Sequence, residues 1–389
     1  MLTKYYIKSK SQIRDNEIFS LDHFKKPFCY NETKKKYKIY QYPNFKNDKF
    51  WKIKDKNKKP ILVVSGPARN GNHLVISLLD GHSQIRPHPG EDDFLRSFFS
   101  FINLNEKETI KKIKSKNHKF FHQLSGQPNF LNKKKIGFDK WKGLFKLYNQ
   151  KKKSSIWSGN QPENEGHIQD YQDLVPNIDY LEFSKNLKKT KNLKINNFFD
   201  FLYHYLEATK YLSNKITKKK TFKYDYRISG SGLRREMFFL MSKIKNIKLI
   251  CPIRSFEGFY FSYAKTRHNL NKKFSQKALD DMWEHWRHKV IDYLILKKKY
   301  PQNVMIVKYE KLTSNTQKVM KKISSFLGVK FEKIQTEPTV FNKKSLGNSS
   351  FKKQKNLKGK IYKTQDKFPS NIVLPREYKD ILKLLDKLS

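Results

Sequence analysis

Cysteine, arginine and long apolar runs are all scarce in this chain. Only Cys29 and Cys251 stand among 389 residues, too few for a disulfide framework. Cys251 lies in an apolar run, where a small buried thiol fits a reducing compartment. No stretch approaches the roughly 20 apolar residues of a membrane-crossing helix. The opening MLTKYYIKSKSQIRDN lacks the apolar core of a secretory signal. A cytoplasmic setting is therefore expected, with the positive charge leaving room for contact at a membrane surface. Arginine numbers 11 against 72 lysines. Where a point charge suffices this chain uses lysine, so the retained arginines mark places where a planar, bidentate fork matters. Nine of the 11 lie between Arg69 and Arg287.

The net charge of +48 invites a nucleic-acid partner, because lysines beside phosphates release counterions. The excess is almost all lysine, accompanied by abundant Asn, Ile, Phe and Tyr, a bias that favours a solvated surface. Zinc-ligand spacing, a recognition helix and an aromatic-basic ribonucleoprotein motif are all missing. No specific nucleic-acid binding is expected, and the sequence gives no reading of oligomeric state.

Along the chain, residues 1–58 read as a basic, weakly periodic N-terminal arm, and 59–389 as one catalytic domain without internal repeats. Strands are expected at 60–65, 248–253 and 303–307. Helices are expected at 72–82, 92–103, 196–213, 231–244, 256–266, 275–299, 314–327 and 375–388. Strands alternating with helices imply a three-layer α/β/α fold with a central parallel sheet. Residues 104–195 read as an insertion region. Within it, Ser154 to Ser184 carries no Lys or Arg but six acids: Glu163, Glu165, Asp170, Asp173, Asp179 and Glu182. Residues 338–370 read as a basic loop.

The densest signal is Ile61-Leu62-Val63-Val64-Ser65-Gly66-Pro67-Ala68-Arg69-Asn70-Gly71-Asn72-His73-Leu74. A buried strand breaks into a Gly-x-x-x-x-Gly turn and a helix starts at once. Main-chain N–H groups of such a turn, with the helix dipole, converge on an anion. A Walker A loop would place Lys-Ser/Thr after the second glycine; Asn72 and His73 stand there, and the cation sits earlier, at Arg69. An anion site that needs no metal is the expectation. A second pattern follows a second strand: Arg254 at its end, then Ser262 eight residues on, a pair able to clamp one phosphate from a strand end and the next helix.

Together these features resemble sulfotransferases that use 3′-phosphoadenosine 5′-phosphosulfate, of the bacterial type with a P-loop-like fold. Gly66, Pro67, Ala68, Arg69, Asn70, Gly71, Asn72 and His73 match the family's segment for the 5′-phosphosulfate. Arg254 and Ser262 match its grip on the 3′-phosphate. Val307-Lys308-Tyr309-Glu310-Lys311-Leu312 with Phe326-Leu327-Gly328 matches a third motif, and Asn348, Ser349 and Ser350 a late one. The resemblance implies sulfuryl transfer to a hydroxyl of an acceptor, a carbohydrate or small metabolite, by in-line attack. Arg69 would stabilise charge on the leaving oxygen. Glu91 is the first choice for general base, by analogy with a Gly-Glu that relatives place beyond this helix; His88 is the second.

Departures from the family pattern are Asn70, Asn72 and His73, where hydroxyl residues are usual. They put side-chain contacts to phosphate in question while leaving the main-chain cradle intact. His82 reads as a helix-end residue and Asp92 as a helix cap. Lys223 or Arg227 matches a basic residue ahead of the 3′-phosphate arginine, or is an exposed charge at a strand end. Trp283 and Trp286 read as core, Tyr309 and Glu310 as organisers of a strand end, and Lys352, Lys353 and Lys355 as solvated or facing the nucleotide. The competing classes are a P-loop nucleotide kinase or NTPase, a basic nucleic-acid-binding protein, and a non-catalytic member of the same fold.

Overall fold

The structure, a computed structural model, describes residues 4–8, 28–31, 36–39, 59–87, 95, 199, 202–203, 206–207, 210, 221–267, 274–340, 342–344, 359–361 and 367–389. The expected insertion at 104–195, the acidic stretch within it, and His88, Glu91, Asp92, Asn348, Ser349, Ser350, Lys352, Lys353 and Lys355 lie outside these residues, as do the helices expected at 92–103 and 196–213 apart from Leu95 and six positions between 199 and 210.

The elements, in chain order, are strands β1 (Tyr5–Tyr6), β2 (Phe28–Asn31), β3 (Lys36–Ile39) and β4 (Ile61–Val64), then helix α1 (Asn72–Leu79). Strand β5 (Tyr226–Ser229), helix α2 (Arg234–Lys243), strand β6 (Ile247–Ile253) and helices α3 (Phe256–Arg267) and α4 (Gln276–Lys299) follow. Then come β7 (Val304–Lys308), α5 (Tyr309–Ser314), α6 (Thr316–Leu327), β8 (Thr339–Val340), β9 (Lys343–Lys344), β10 (Ile372–Val373) and α7 (Arg376–Leu388). Phe199, Leu202 and Leu206, at helical spacing, are helical and buried.

Four strands form a parallel sheet in the order β5-β4-β6-β7. Side chains alternate across it. Ile61, Val63, Ile228, Leu249, Cys251 and Ile306 face a core closed by α2, α3, α4 and α7. Leu62, Val64, Ile250 and Val307 face a second core closed by α1, α5 and α6. Helices thus cover both faces, which is why β4 reads as an unbroken apolar run. All four of its side chains are fully buried, each contributing about 1.5–3 kcal/mol relative to exposure. The sheet is the expected three-layer α/β/α arrangement.

Three features differ from the sequence reading. Strand β5 is absent from the strands expected, and Arg227, read as an exposed charge at a strand end or a match to a family residue, lies inside it and is only 2% exposed. The helix expected at 314–327 is α6, and a further short helix, α5, precedes it; Asn315 separates the two, and its side chain caps α6 by accepting from Lys318 N. The segment expected to be an arm begins inside the packed domain. Strand β1 pairs in parallel with β10, Ile7 is buried, and the N–H groups of Tyr6 and Lys8 donate to Gln276 and Asp280 on α4.

Chain order positions the site. From β4 the chain goes to β5 on one side, and β6 then lies on β4's other side. The carboxyl ends of β4 and β6 therefore flank a topological switch point, where open α/β sheets leave a crevice for ligands.

Candidate active site

The loop leaving β4 is shaped by two residues in the left-handed region, Arg69 at φ 64° and Gly71 at φ 99°. Gly71 suits this conformation; Arg69 takes it at a cost of about 1 kcal/mol or more. Such a turn directs successive N–H groups inward as an anion-binding nest. Gly71 is also the N-cap of α1 and provides no side-chain cap, leaving the first-turn N–H groups of the helix to a ligand. Both glycines are needed for close approach. A Cβ at Gly66 would sit 2.2 Å from the Pro252 carbonyl oxygen, and one at Gly71 2.3 Å from the Tyr309 ring.

Arg254 occupies the end of β6, where three contacts hold it. Its N–H donates to Asn70 Oδ1 at 2.7 Å, and its carbonyl accepts from Trp286 Nε1 at 2.9 Å. The guanidinium carbon lies 4.6 Å from the centre of the Tyr309 ring. On its other side the side chain crosses Gly258, where a Cβ would come within 2.5 Å of Nε. Arg254 thus runs in a slot between an aromatic face and a bare helix turn, only 6% exposed. Ser262, half-buried, is the next residue on the helical stripe that starts at Gly258. Ser255 caps α3 by accepting from Gly258 N, and its own N–H donates to Glu310.

The glycine loop and the Arg254 turn therefore form one unit. Asn70 joins them, and the Tyr309 ring lies under both Gly71 and Arg254. Tyr309 and Glu310 organise the strand end, as expected. Trp283 and Trp286 are fully buried, in keeping with a core role, and Trp286 adds the contact to Arg254. Neither that contact nor the slot at Gly258 was legible in the sequence; only the Gly four residues after Arg254 hinted at it.

Other candidates fall elsewhere. Arg227 is no exposed charge: it donates to the Ile76 carbonyl in the last turn of α1 at 3.0 Å, where a cation complements the helix dipole. Lys223 Nζ donates to the Gly328 carbonyl. His82 is buried and ties the end of α1 to the 330–332 segment, through the Lys330 carbonyl and Glu332. Asp80, also buried, accepts from Thr339 Oγ1 and Asn342 N, anchoring the start of the basic 338–370 loop behind α1.

Beneath the loop lies a buried polar layer. Ser65 Oγ bonds Tyr293 OH at 2.8 Å and accepts from Leu233 N, and Arg234 pairs with Asp292 at 2.7 Å. Burial outweighs Arg234 and pushes the Asp292 carboxyl up to about 7; burial likewise lowers His288 well below its ordinary value. Among the described residues no cluster of three or more His, Cys, Asp or Glu could hold a metal ion, and no helix is long and apolar enough to cross a membrane.

A parallel sheet covered by helices on both faces, with a glycine loop and a strand-end arginine side by side at its switch point, defines a three-layer α/β protein. The sequence profile of the sulfotransferase domain matches residues 144–372, a span that includes Arg254, Ser262 and Tyr309 and begins after the glycine loop. The chain belongs to the sulfotransferase domain family. Among solved structures it is similar to the sulfotransferase domain of the Synechococcus PCC 7002 olefin synthase. Identity there is 15%, with 86% of this chain and 97% of that chain covered and a TM-score of 0.42. It is also similar to the sulfotransferase domain from the curacin biosynthetic pathway, at 17% identity, 85% and 99% coverage and a TM-score of 0.46. No curated protein sequence matches the chain. Family membership makes the chain a transferase by kind and counts against the nucleotide-kinase reading.

Proposed function

We propose that this chain moves the sulfuryl group of 3′-phosphoadenosine 5′-phosphosulfate to a hydroxyl of an acceptor, a carbohydrate or small metabolite. The observation that carries this reading is the single rigid unit made by the glycine loop and Arg254, bridged by Asn70 Oδ1 to Arg254 N at 2.7 Å. A donor with a phosphate at each end of its ribose calls for two anion sites at fixed separation. The uncapped start of α1 supplies one, and the Arg254 slot with Ser262 supplies the other. Asn348, Ser349 and Ser350 would close on the donor from the late loop.

In the reaction the acceptor oxygen attacks sulfur in line. The bond from sulfur to the 5′-phosphate oxygen breaks, and the acceptor's proton passes to a base. Arg69, on the half-buried rim of the loop, neutralises charge growing on the leaving oxygen, so positioning and electrostatics do most of the work. The base is Glu91, with His88 as the alternative. The described chain supports this choice up to Pro87. At Ile85 it bridges Tyr224 in parallel, and Arg86 N donates to the Tyr224 carbonyl. It therefore leaves Pro87 heading toward the carboxyl ends of the strands.

The test is thermal stabilisation by 3′-phosphoadenosine 5′-phosphate compared with adenosine 5′-phosphate, since a ligand that binds only the native state raises its melting temperature. A clear preference for the bisphosphate, lost in Arg254→Ala, is expected. Equal stabilisation by the two nucleotides overturns the donor assignment.

A further inference from the structure

The residue that opens α1 does not face the anion. Asn72 is 3% exposed, and its amide is spent on the loop itself. Oδ1 accepts from Gly66 N at 2.7 Å. Nδ2 lies 3.3 Å from the Gly66 carbonyl, 3.2 Å from the Pro67 carbonyl and 3.1 Å from Ser231 Oγ. A Cβ on Gly66 would lie 3.1 Å from Asn72 Oδ1, so the amide sits flush against the start of the loop. Only a side chain with both donor and acceptor at this length can hold a backbone N–H and two carbonyls together.

The partner across the contact is the turn that follows β5. Gly230 N donates to the Val64 carbonyl and Gly232 N to the Gly66 carbonyl at 2.8 Å. Leu233 N donates to Ser65 Oγ, which Tyr293 OH supports from α4. The first half of the glycine loop is thus fastened from three sides: by Asn72 from the second half, by the 230–233 turn, and by α4 below. Asn72 belongs to all of this through Ser231.

We infer that Asn72 is a positioning residue, an internal clasp that sets the loop's N–H groups for the donor's 5′-phosphate without touching it. The inference rests on the donor reading above and assigns the 5′ end to main-chain donors. Ser231 is the clasp's outer point of attachment. A preset nest gains affinity because no loop ordering is charged against binding.

The experiment compares calorimetric affinities of the full chain for two nucleotides differing only at the 5′ end, 3′-phosphoadenosine 5′-phosphate and adenosine 3′-phosphate. Their ratio isolates the 5′-phosphate site, and a general loss of stability leaves it unmoved. Asn72→Ala is expected to shrink that ratio by about tenfold or more, as for an unmade buried hydrogen bond. The preference for the bisphosphate over adenosine 5′-phosphate, which reads Arg254, is expected to stay. Ser231→Ala, which keeps the loop sequence intact, is expected to shrink the ratio less and in the same sense. Asn72→Ser is expected to behave like Asn72→Ala, because a hydroxyl is too short to span the loop. An unchanged ratio in both the Asn72→Ala and Ser231→Ala variants overturns the clasp. So does full recovery in Asn72→Ser, which would mean that this position touches the phosphate. A wild-type chain that ignores the 5′-phosphate but prefers a 3′-phosphate overturns the clasp alone, and one that binds neither nucleotide overturns the donor reading as well.

Discussion

Gly258→Ala separates what stabilises this fold from what would recognise the donor. Gly258 sits in the first turns of α3 without a positive φ, so alanine fits its backbone and adds up to about 1 kcal/mol of helix propensity. The new methyl, however, would stand 2.5 Å from Arg254 Nε, 3.0 Å from Cγ and 3.1 Å from Cδ. Ordinary contact needs nearly 1 Å more, and the Tyr309 ring, 4.6 Å from the guanidinium carbon, bars retreat on the other side. The arginine must therefore leave its slot along the helix, carrying its N–H groups off the phosphate position by about 1 Å. A hydrogen bond to a charged group contributes about 1.5–3 kcal/mol, so affinity for 3′-phosphoadenosine 5′-phosphate should fall by about 10- to 150-fold. Affinity for adenosine 5′-phosphate should hold, and the urea midpoint should stay level or rise. Calorimetric titration of both nucleotides, beside an unfolding curve, reads all three quantities. An undiminished preference for the 3′-phosphate in a well-folded Gly258→Ala would refute the slot.

Two further outcomes follow from the site and the layer beneath it. Glu91→Gln is expected to bind the donor product normally while losing about a hundredfold in turnover, against a mild effect of His88→Asn; an undiminished steady-state rate in Glu91→Gln would move the base elsewhere. Asp292 has a raised folded-state value of about 7 against 3.8 for the ordinary group, so its contribution to stability is complete below about pH 4 and fades as pH rises through about 7. The stability advantage of the wild type over Asp292→Asn should therefore shrink between about pH 4 and pH 7 in urea unfolding, by an amount on the order of a few kcal/mol. An advantage that grows with pH would show that the Arg234 pair, not burial, governs this carboxyl.

Much of the sheet was legible because its strands are continuous apolar runs bounded by breakers. Ile61–Val64 ends at Ser65-Gly66, and Ile247–Ile253 ends at Arg254. Strand β5 was not, since Arg227 satisfies its charge on a carbonyl of α1, a contact 151 residues away in sequence. The N-terminal pairing of Tyr5–Tyr6 with Ile372–Val373 joins two-residue strands, too short to leave an alternating pattern in the sequence. At the site, the anion nest and Arg254 announced themselves through residue type and order. Their mutual fit did not. Whether Asn72 faces a phosphate or its own loop depends on where Ser231 lies, and the value of Tyr309 as a shared floor depends on Gly71 and the Arg254 guanidinium meeting one ring.

The central claim is that the α1 loop and Arg254 each hold one phosphate of a single donor nucleotide. A crystal structure of the chain with 3′-phosphoadenosine 5′-phosphate tests it most directly. The account predicts the 5′-phosphate within hydrogen-bonding distance of the loop N–H groups from Gly71 to Leu74, and the 3′-phosphate on the Arg254 guanidinium and Ser262 hydroxyl. A nucleotide bound with either phosphate away from its assigned group would contradict it.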